Sequence, residues 1–346
     1  MKEEVVLTGG TGYLGSQILV ELLSKGYLVR LTSRNPEKTK KVTWVVELNK
    51  KYPNQLSFFS GDLMKEGSFD DVMKGAQYLI HAASPFKIDK IKDAKKELID
   101  PAVKGTKEVL SAADKSKSIK KVVLTSSLAS IYGDAIDMKL IDEDKFSEKH
   151  WNTSSSISHQ PYSFSKVSAE RKAWSVSEDK NWKLVTINPG FILGPSVAKR
   201  TDSTSISFMR DMLKGKFKTG VPDLFFSIVD VRDVAKAHVI AMENEKAHGR
   251  YVCSNKTMST LDIANTLGKL VGSKYKKLPK KKLPTFLTYI FAPILAGFSW
   301  NYLRKNLGLP IYFDNSKIKK ELNIDFRPID ETFTDHVKQL EEDEFI

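Results

Sequence analysis

The stretch Val5-Val6-Leu7-Thr8-Gly9-Gly10-Thr11-Gly12-Tyr13-Leu14-Gly15 decides how the rest of the chain is read. An apolar run of strand character enters a glycine-rich turn, and Ile18, Leu19, Leu22 and Leu23 follow at helical spacing. Gly10, Gly12 and Gly15 fit G-x-G-x-x-G; Gly9, Gly12 and Gly15 fit G-x-x-G-x-x-G. In either register the early glycines let the backbone turn tightly beside a pyrophosphate, and the last lets the helix pack on the strand. The phosphates then meet free N–H groups at the positive end of the helix dipole. The stretch predicts a dinucleotide site at the start of the chain.

Working outward, 346 residues of which 41% are hydrophobic and 28% charged suffice for one large domain and a smaller lobe. The formal charge of +13 raises nucleic acid as a partner. Lysines are spread along the chain, however, and the dense run Lys274–Lys282 has no interleaved base-stacking aromatics, so it reads as a solvated basic surface and no nucleic-acid partner is expected. The single cysteine, Cys253, excludes an intramolecular disulfide and fits a reducing, cytoplasmic setting; it is expected to fill core. Met1–Glu4 runs straight into the first strand, leaving no room for a signal peptide.

A second strand, Tyr27–Thr32, ends in Ser33-Arg34, with no carboxylate before Glu37. An acidic residue here accepts the ribose hydroxyls of NAD, whereas Arg accommodates the 2′-phosphate of NADP. NADP is therefore expected over NAD, with Arg34 as a guanidinium fork assisted by Ser33 and Lys38; the competing use of Arg34 is a surface pair with Glu37. A lysine-rich helix near 36–51, a strand at Leu56–Phe59 ending in Gly61-Asp62-Leu63, a helix near 67–75 and the strand Tyr78–His81 continue the alternation. Ala82-Ala83-Ser84-Pro85-Phe86 follows, small residues where a cofactor can lie against backbone; His81, without an acidic or nucleophilic neighbour, reads as a buried structural histidine. A helix from about Lys95 to Ala113 leads to the strand Lys121–Thr125, and Leu184–Ile187 reads as the last large strand. The expected fold is α/β: a Rossmann-type doubly wound parallel sheet over residues 1–190, with 230–242 returning to it, and a smaller substrate-binding lobe over 191–346.

Ser126-Ser127 closes the Lys121–Thr125 strand, and Tyr162-Ser163-Phe164-Ser165-Lys166 opens a helix 35 residues further on. Tyr162 and Lys166, four apart, project from one helix face. A free tyrosine, with a pKa of about 10, exchanges protons poorly near neutrality. A lysine ammonium beside it, with a positively charged nicotinamide nearby in the oxidised complex, favours phenolate and is expected to pull that pKa down. A serine from the neighbouring strand end can then hold a substrate carbonyl oxygen. Y-x-x-x-K alone is common; joined to the glycine turn and Ser-Ser it becomes a constellation, one that calls for no metal.

These motifs identify a resemblance. The chain is similar to the extended short-chain dehydrogenase/reductases from the Thr8–Gly15 turn through Asp62, Thr125-Ser126-Ser127, Tyr162-x-x-x-Lys166 and Asn188-Pro189-Gly190. Within them it most resembles the branch of dihydroflavonol, cinnamoyl-CoA and yeast methylglyoxal/aldehyde reductases, through His81–Phe86, Asp100–Thr106 and Val122–Ser127. The resemblance implies that Tyr162 is the general acid, that Lys166 tunes it and binds the nicotinamide ribose, and that Ser127, the second serine of the pair, polarises the carbonyl. It implies a cofactor lined by Thr8, Gly9, Gly12, Tyr13, Leu14, Gly15, Arg34, Asp62, Leu63, Ala82, Ala83, Ser84, Thr125, Pro189, Gly190 and Ile192. The stretch Gln160–Lys166 departs from the Asn-Trp-Tyr-Cys-Tyr-Gly-Lys motif of the cinnamoyl-CoA branch, which argues against CoA-thioester substrates.

Phe86, Ile131 and Phe191, with Leu193 and the Ser/Thr-rich loop Thr201–Ser207, are candidates to line a pocket for a hydrophobic carbonyl compound, and each could equally be core. Asp230 is expected to cap a helix. Leu283–Trp300 is uncharged but carries Pro284 and Pro293, and is expected to be a buried or pocket-covering helix, with peripheral membrane contact as the alternative. The expected activity is NADPH-dependent reduction of an aldehyde or ketone. A sugar-nucleotide epimerase or dehydratase, a 3β-hydroxysteroid-type dehydrogenase and a non-catalytic NADP sensor are the rivals; the oligomeric state is open.

Overall fold

The computed structural model describes residues 3–84 and 91–346. Ten strands are named in chain order among these residues: β1 (Glu4–Thr8), β2 (Leu28–Ser33), β3 (Leu56–Ser60), β4 (Tyr78–His81), β5 (Lys121–Thr125), β6 (Lys183–Pro189), β7 (Phe191–Leu193), β8 (Phe225–Asp230), β9 (Gly249–Cys253) and β10 (Lys256–Ser259). Seven of them form one parallel sheet in the order β3-β2-β1-β4-β5-β6-β9. Strand period 2 sends alternate residues to opposite faces, and here both faces are covered. Val5 and Leu7 join Ile18, Leu19, Leu22, Val123 and Val185 in one core, under the helices Tyr13–Ser24 and Val231–Glu243. Val6 joins Leu79, Val122, Leu184, Val109 and Leu110 in the other, under the helix Asp100–Ser116. This is why β1 is a continuous apolar run rather than an alternating one.

The order of strands reverses between β1 and β4, so a crevice opens at their C-terminal ends. Gly9 follows β1 with φ of 71°, and a Cβ on it would lie 2.6 Å from the Ala83 nitrogen just after β4. A Cβ on Gly15 would lie 2.0 Å from the Gly9 oxygen, so these glycines answer both to a left-handed backbone and to close packing.

The smaller lobe carries the sheet β10-β8-β7, in which β7 runs parallel and β10 antiparallel to β8. Its core joins Leu193, Ile206, Met209, Ile228, Leu267 and Phe333 beneath the helices Thr204–Leu213, Thr260–Val271 and Ile329–Glu342. Asp230 caps the helix Val231–Glu243, its side chain accepting from the Arg232 N–H at 2.8 Å.

Several elements differ from expectation. The segment 36–51 is two helices, Pro36–Thr39 and Thr43–Lys51, because the chain is extended at Val42. The helix near 67–75 shrinks to Asp70–Met73. The long helix begins as a wide π-turn, Lys95–Ile99, before Asp100–Ser116; that turn leads into Pro101, which has no N–H to give the ladder. Leu184–Ile187 is not the last strand of the large sheet, since β9 adds to its edge beyond β6. The Thr201–Ser207 loop becomes helical from Thr204. Leu283–Trp300 yields a 12-residue helix, Thr285–Ala296, that is not buried: Phe286, Ile290 and Ile294 face outward. No helix among the described residues is long and apolar enough to cross a membrane.

Candidate active site

The glycine turn supplies the first part of the site. Gly12 precedes the helix Tyr13–Ser24, whose first turn has neither an acidic residue nor a side-chain cap. Its leading N–H groups therefore remain available to an anion. Thr8 fastens the turn to β4: its hydroxyl lies 2.7 Å from His81 Nδ1 and accepts from the Ala83 N–H at 3.2 Å. Burial drives the His81 pKa down to about 3, so the ring is neutral and structural, as its sequence context suggested. The Tyr13 hydroxyl donates to the Gly194 carbonyl at 2.6 Å, tying this turn to the smaller lobe.

At the end of β2, Arg34 is exposed, with no ion-pair partner among the described residues. The Glu37 carboxylate is held by Lys40 at 2.7 Å, which removes the competing surface pair. Ser33 accepts from the Thr39 hydroxyl at 2.9 Å, so its side chain is already engaged locally. Asp62 forms a tight turn, accepting from the Met64 N–H at 2.9 Å. Leu63 packs against Gly105, where a Cβ would approach the leucine Cβ to 2.9 Å. Ala82, Ala83 and Ser84 continue from β4, and Pro189, Gly190 and Ile192 lie at the junction of β6 and β7. A Cβ on Gly190 would lie 2.2 Å from the Ser227 carbonyl oxygen, so only glycine lets the two sheets approach there. Thr125 turns its hydroxyl to His238 Nε2 at 2.7 Å; His238 Nδ1 faces the Val234 carbonyl, which can only accept, so Nδ1 carries the proton.

Ser127, Tyr162 and Lys166 come together. Ser127 caps the short turn Leu128–Ser130, its Oγ accepting from the Ala129 N–H at 3.1 Å. The helix Pro161–Ser177 presents Tyr162 to a hydrogen bond with Ser127 and Lys166 to the Ser84 hydroxyl at 3.0 Å, with the ammonium 5.8 Å from the Tyr162 ring centroid. The chain's own groups act on the tyrosine in the opposite sense to the one expected of it beside an oxidised nicotinamide. Desolvation raises the Tyr162 pKa to about 12, opposed only by the Ser127 hydrogen bond. Desolvation also lowers Lys166 to about 8, opposed by the Glu170 carboxylate. In this arrangement burial outweighs the ammonium, which is turned toward Ser84.

Two contributions went unread in the sequence. Glu170, one helical turn beyond Lys166, is 1% exposed. It pairs with Arg250 of β9 at 2.6 Å and accepts from Asn188 at 2.8 Å, Thr186 at 3.3 Å and the hydroxyls of Ser126 and Ser130. Arg250 stacks on Trp151, 3.8 Å from its centroid, and donates to the Glu148 carbonyl at 2.8 Å. Arg200 of the smaller lobe donates to the Thr11 carbonyl at 3.2 Å while paired with Asp202, placing a guanidinium on the glycine turn. These partners of Glu170 lie between 16 and 80 residues away, and that of Arg200 lies 189 residues away, so no local spacing announces them.

The apolar candidates separate. Ile131 is 1% exposed and packs with Leu128, Phe146 and Val252, and Leu193 is likewise buried, so both serve the core and do not line a pocket. Phe191 is half-buried, 5.3 Å from Phe208 and 5.5 Å from Phe226 between ring centroids. Phe86 lies outside the described residues. Removing the carboxylate at Glu170 strands a buried guanidinium. Glu170→Ala is expected to lower the unfolding free energy by about 3–5 kcal/mol in a denaturant titration; a loss under about 1 kcal/mol contradicts the network's role.

Residues 5–254 match the NAD dependent epimerase/dehydratase family. A cinnamoyl-CoA reductase of Medicago truncatula is 33% identical over 344 residues, which is 99% of this chain and 96% of that protein. A bifunctional dihydroflavonol 4-reductase/flavanone 4-reductase of Malus domestica is 29% identical over 325 residues, 94% of this chain and 86% of its own. Among solved structures, the yeast methylglyoxal/isovaleraldehyde reductase Gre2 complexed with NADPH matches 99% of this chain and 100% of its own with a TM-score of 0.80 at 27% identity. The chain belongs to the NAD dependent epimerase/dehydratase family, as an extended short-chain dehydrogenase/reductase on the branch of the dihydroflavonol, cinnamoyl-CoA and methylglyoxal reductases.

Proposed function

We propose that the protein is an NADPH-dependent reductase of aldehydes or ketones in which Tyr162 is the general acid. The observation that carries this reading is the hydrogen bond between Ser127 and Tyr162 with the Lys166 ammonium beside them. The residues that would hold the cofactor fit it. Gly9 and Gly15 let the turn close on Ala83 and on itself, where any Cβ would strike backbone, the first helix offers uncapped N–H groups, and Arg34 is a guanidinium with no ion-pair partner among the described residues, available for the 2′-phosphate. The remaining lining is assigned to Thr8, Gly12, Tyr13, Leu14, Asp62, Leu63, Ala82, Ala83, Ser84, Pro189, Gly190 and Ile192, with Thr125 contributing backbone only because His238 takes its hydroxyl. When bound, the reduced nicotinamide supplies the hydride.

The chain's own residues manage the oxygen and the proton. Ser127 Oγ accepts from the Ala129 N–H, and its one hydrogen passes from Tyr162 to a carbonyl oxygen bound between them. A tyrosine raised to about 12 keeps its proton through neutral pH and can release it to a developing alkoxide, a far stronger base than phenolate. Lys166, charged below about pH 8, then stabilises the phenolate left behind. In the oxidative direction the same groups act in reverse. A relative named as a methylglyoxal/isovaleraldehyde reductase supports the substrate class, while the departure at Gln160–Lys166 favours a free aldehyde or ketone over a CoA thioester.

Tyr162→Phe is expected to retain NADPH binding by fluorescence titration and to lose about 10²–10⁴-fold in turnover on an accepted carbonyl; near-wild-type turnover contradicts the assigned acid. Arg34→Ala is expected to weaken NADPH by about 10–100-fold in the same titration and leave NADH nearly unchanged. An equal loss for both cofactors contradicts the 2′-phosphate contact.

A further inference from the structure

The helix Thr285–Ala296 is inverted for a protein surface. Its outward face carries Phe286 at 64%, Ile290 at 52% and Ile294 at 77% exposure, while polar Thr288 is 1% exposed. Phe291 on the same helix and, beyond the turn, Trp300 at 70% are exposed as well. Singly exposed apolar residues need no explanation, but a contiguous set on one helix face does. The set is also framed by charge of one sign. From Ile263 to Phe313 the chain has nine lysines and arginines and no aspartate or glutamate. Asp223 pairs with Lys282 and Glu341 with Lys274, whereas Lys276, Lys277, Lys280 and Lys281 are exposed without a carboxylate partner among the described residues.

Below the patch the structure is fixed. Leu283 donates to the Val221 carbonyl at 2.8 Å. The following helix, Trp300–Asn306, is bound to Asp134 through Asn306 at 2.7 Å and Lys305 at 3.3 Å. The chain is thus anchored on both sides of the apolar helix. At 12 residues the helix is about 18 Å long, too short to cross a hydrocarbon core of about 30 Å and suited to lying in its surface.

We propose that the helix Thr285–Ala296 and the lysine run before it seat the protein on an anionic lipid surface, with Phe286, Ile290 and Ile294 entering the headgroup boundary and Lys276, Lys277, Lys280 and Lys281 meeting the lipid charge. Apolar insertion and lysine attraction act together in such contacts, and the lysine part falls with salt. Neither part depends on the reductase reading, because none of these residues belongs to the Ser127–Tyr162–Lys166 site.

The test is co-sedimentation of the full chain with vesicles of phosphatidylcholine alone and of phosphatidylcholine with phosphatidylserine. The expected result is sedimentation with the anionic vesicles only. A Phe286→Ser/Ile290→Ser/Ile294→Ser variant should stay in the supernatant, and Lys280→Gln/Lys281→Gln should bind about thirtyfold more weakly. Both variants should keep the wild-type thermal midpoint, since the altered side chains are exposed. Wild-type protein left in the supernatant overturns the proposal, as does vesicle binding unchanged by the apolar triple variant. A dimer in light scattering that the triple variant dissolves, with no vesicle binding by wild type, overturns it in favour of a second copy on this face.

Discussion

Burying the Glu170 carboxylate costs several kcal/mol unless its lone pairs are filled, and filling them ties four segments to one point. Arg250 comes from β9, Thr186 and Asn188 from β6, Ser126 and Ser130 from the turn after β5, and Glu170 itself from the helix that carries Tyr162 and Lys166. The edge strand β9 is therefore part of the site's scaffold although it touches none of the reacting groups. Because Ser126 and Ser130 are held from below, Ser127 between them is left directed at Tyr162, and the choice of the second serine gains a physical reason.

In the mechanism we propose, the same burial sets the proton chemistry. A phenol beside an ammonium invites the expectation of a depressed pKa, but in this packing both groups move against their charged forms, Tyr162 up and Lys166 down. A protonated tyrosine is what reduction needs at the outset, since a proton must be delivered to oxygen. The lysine matters after transfer, when a phenolate remains. Glu170 opposes the fall of the lysine pKa, so the carboxylate that organises the scaffold also favours the charged form of the site's lysine.

What was legible in the sequence was local. The Gly9–Gly15 turn, the buried runs of β1 and β5, the Asp230 cap and the four-residue spacing of Tyr162 and Lys166 are all written within a few residues, and each is found in place. What escaped was non-local or dependent on burial. Arg250 reads in sequence as a polar residue of a short strand, and only pairing of β9 with β6 brings it to Glu170. Arg200 meets Thr11 only because the smaller lobe closes over the first turn. Ile131 has the same composition signal as a pocket residue and a core residue, and packing against Phe146 decides for core. The apolar segment after Leu283 reads as a buried helix by hydropathy, and the structure turns its apolar face outward.

The central claim is that this site moves a hydride to a carbonyl carbon while Tyr162 supplies the proton. The most direct measurement is a carbonyl panel incubated with NADPH deuterated at the transferring position, with the product alcohol analysed by mass spectrometry and NMR. The account predicts deuterium on the carbinol carbon at one label per NADPH consumed, and no label with Tyr162→Phe above its residual rate. Saturable NADPH binding with no label transferred to any aldehyde or ketone of the panel would contradict it.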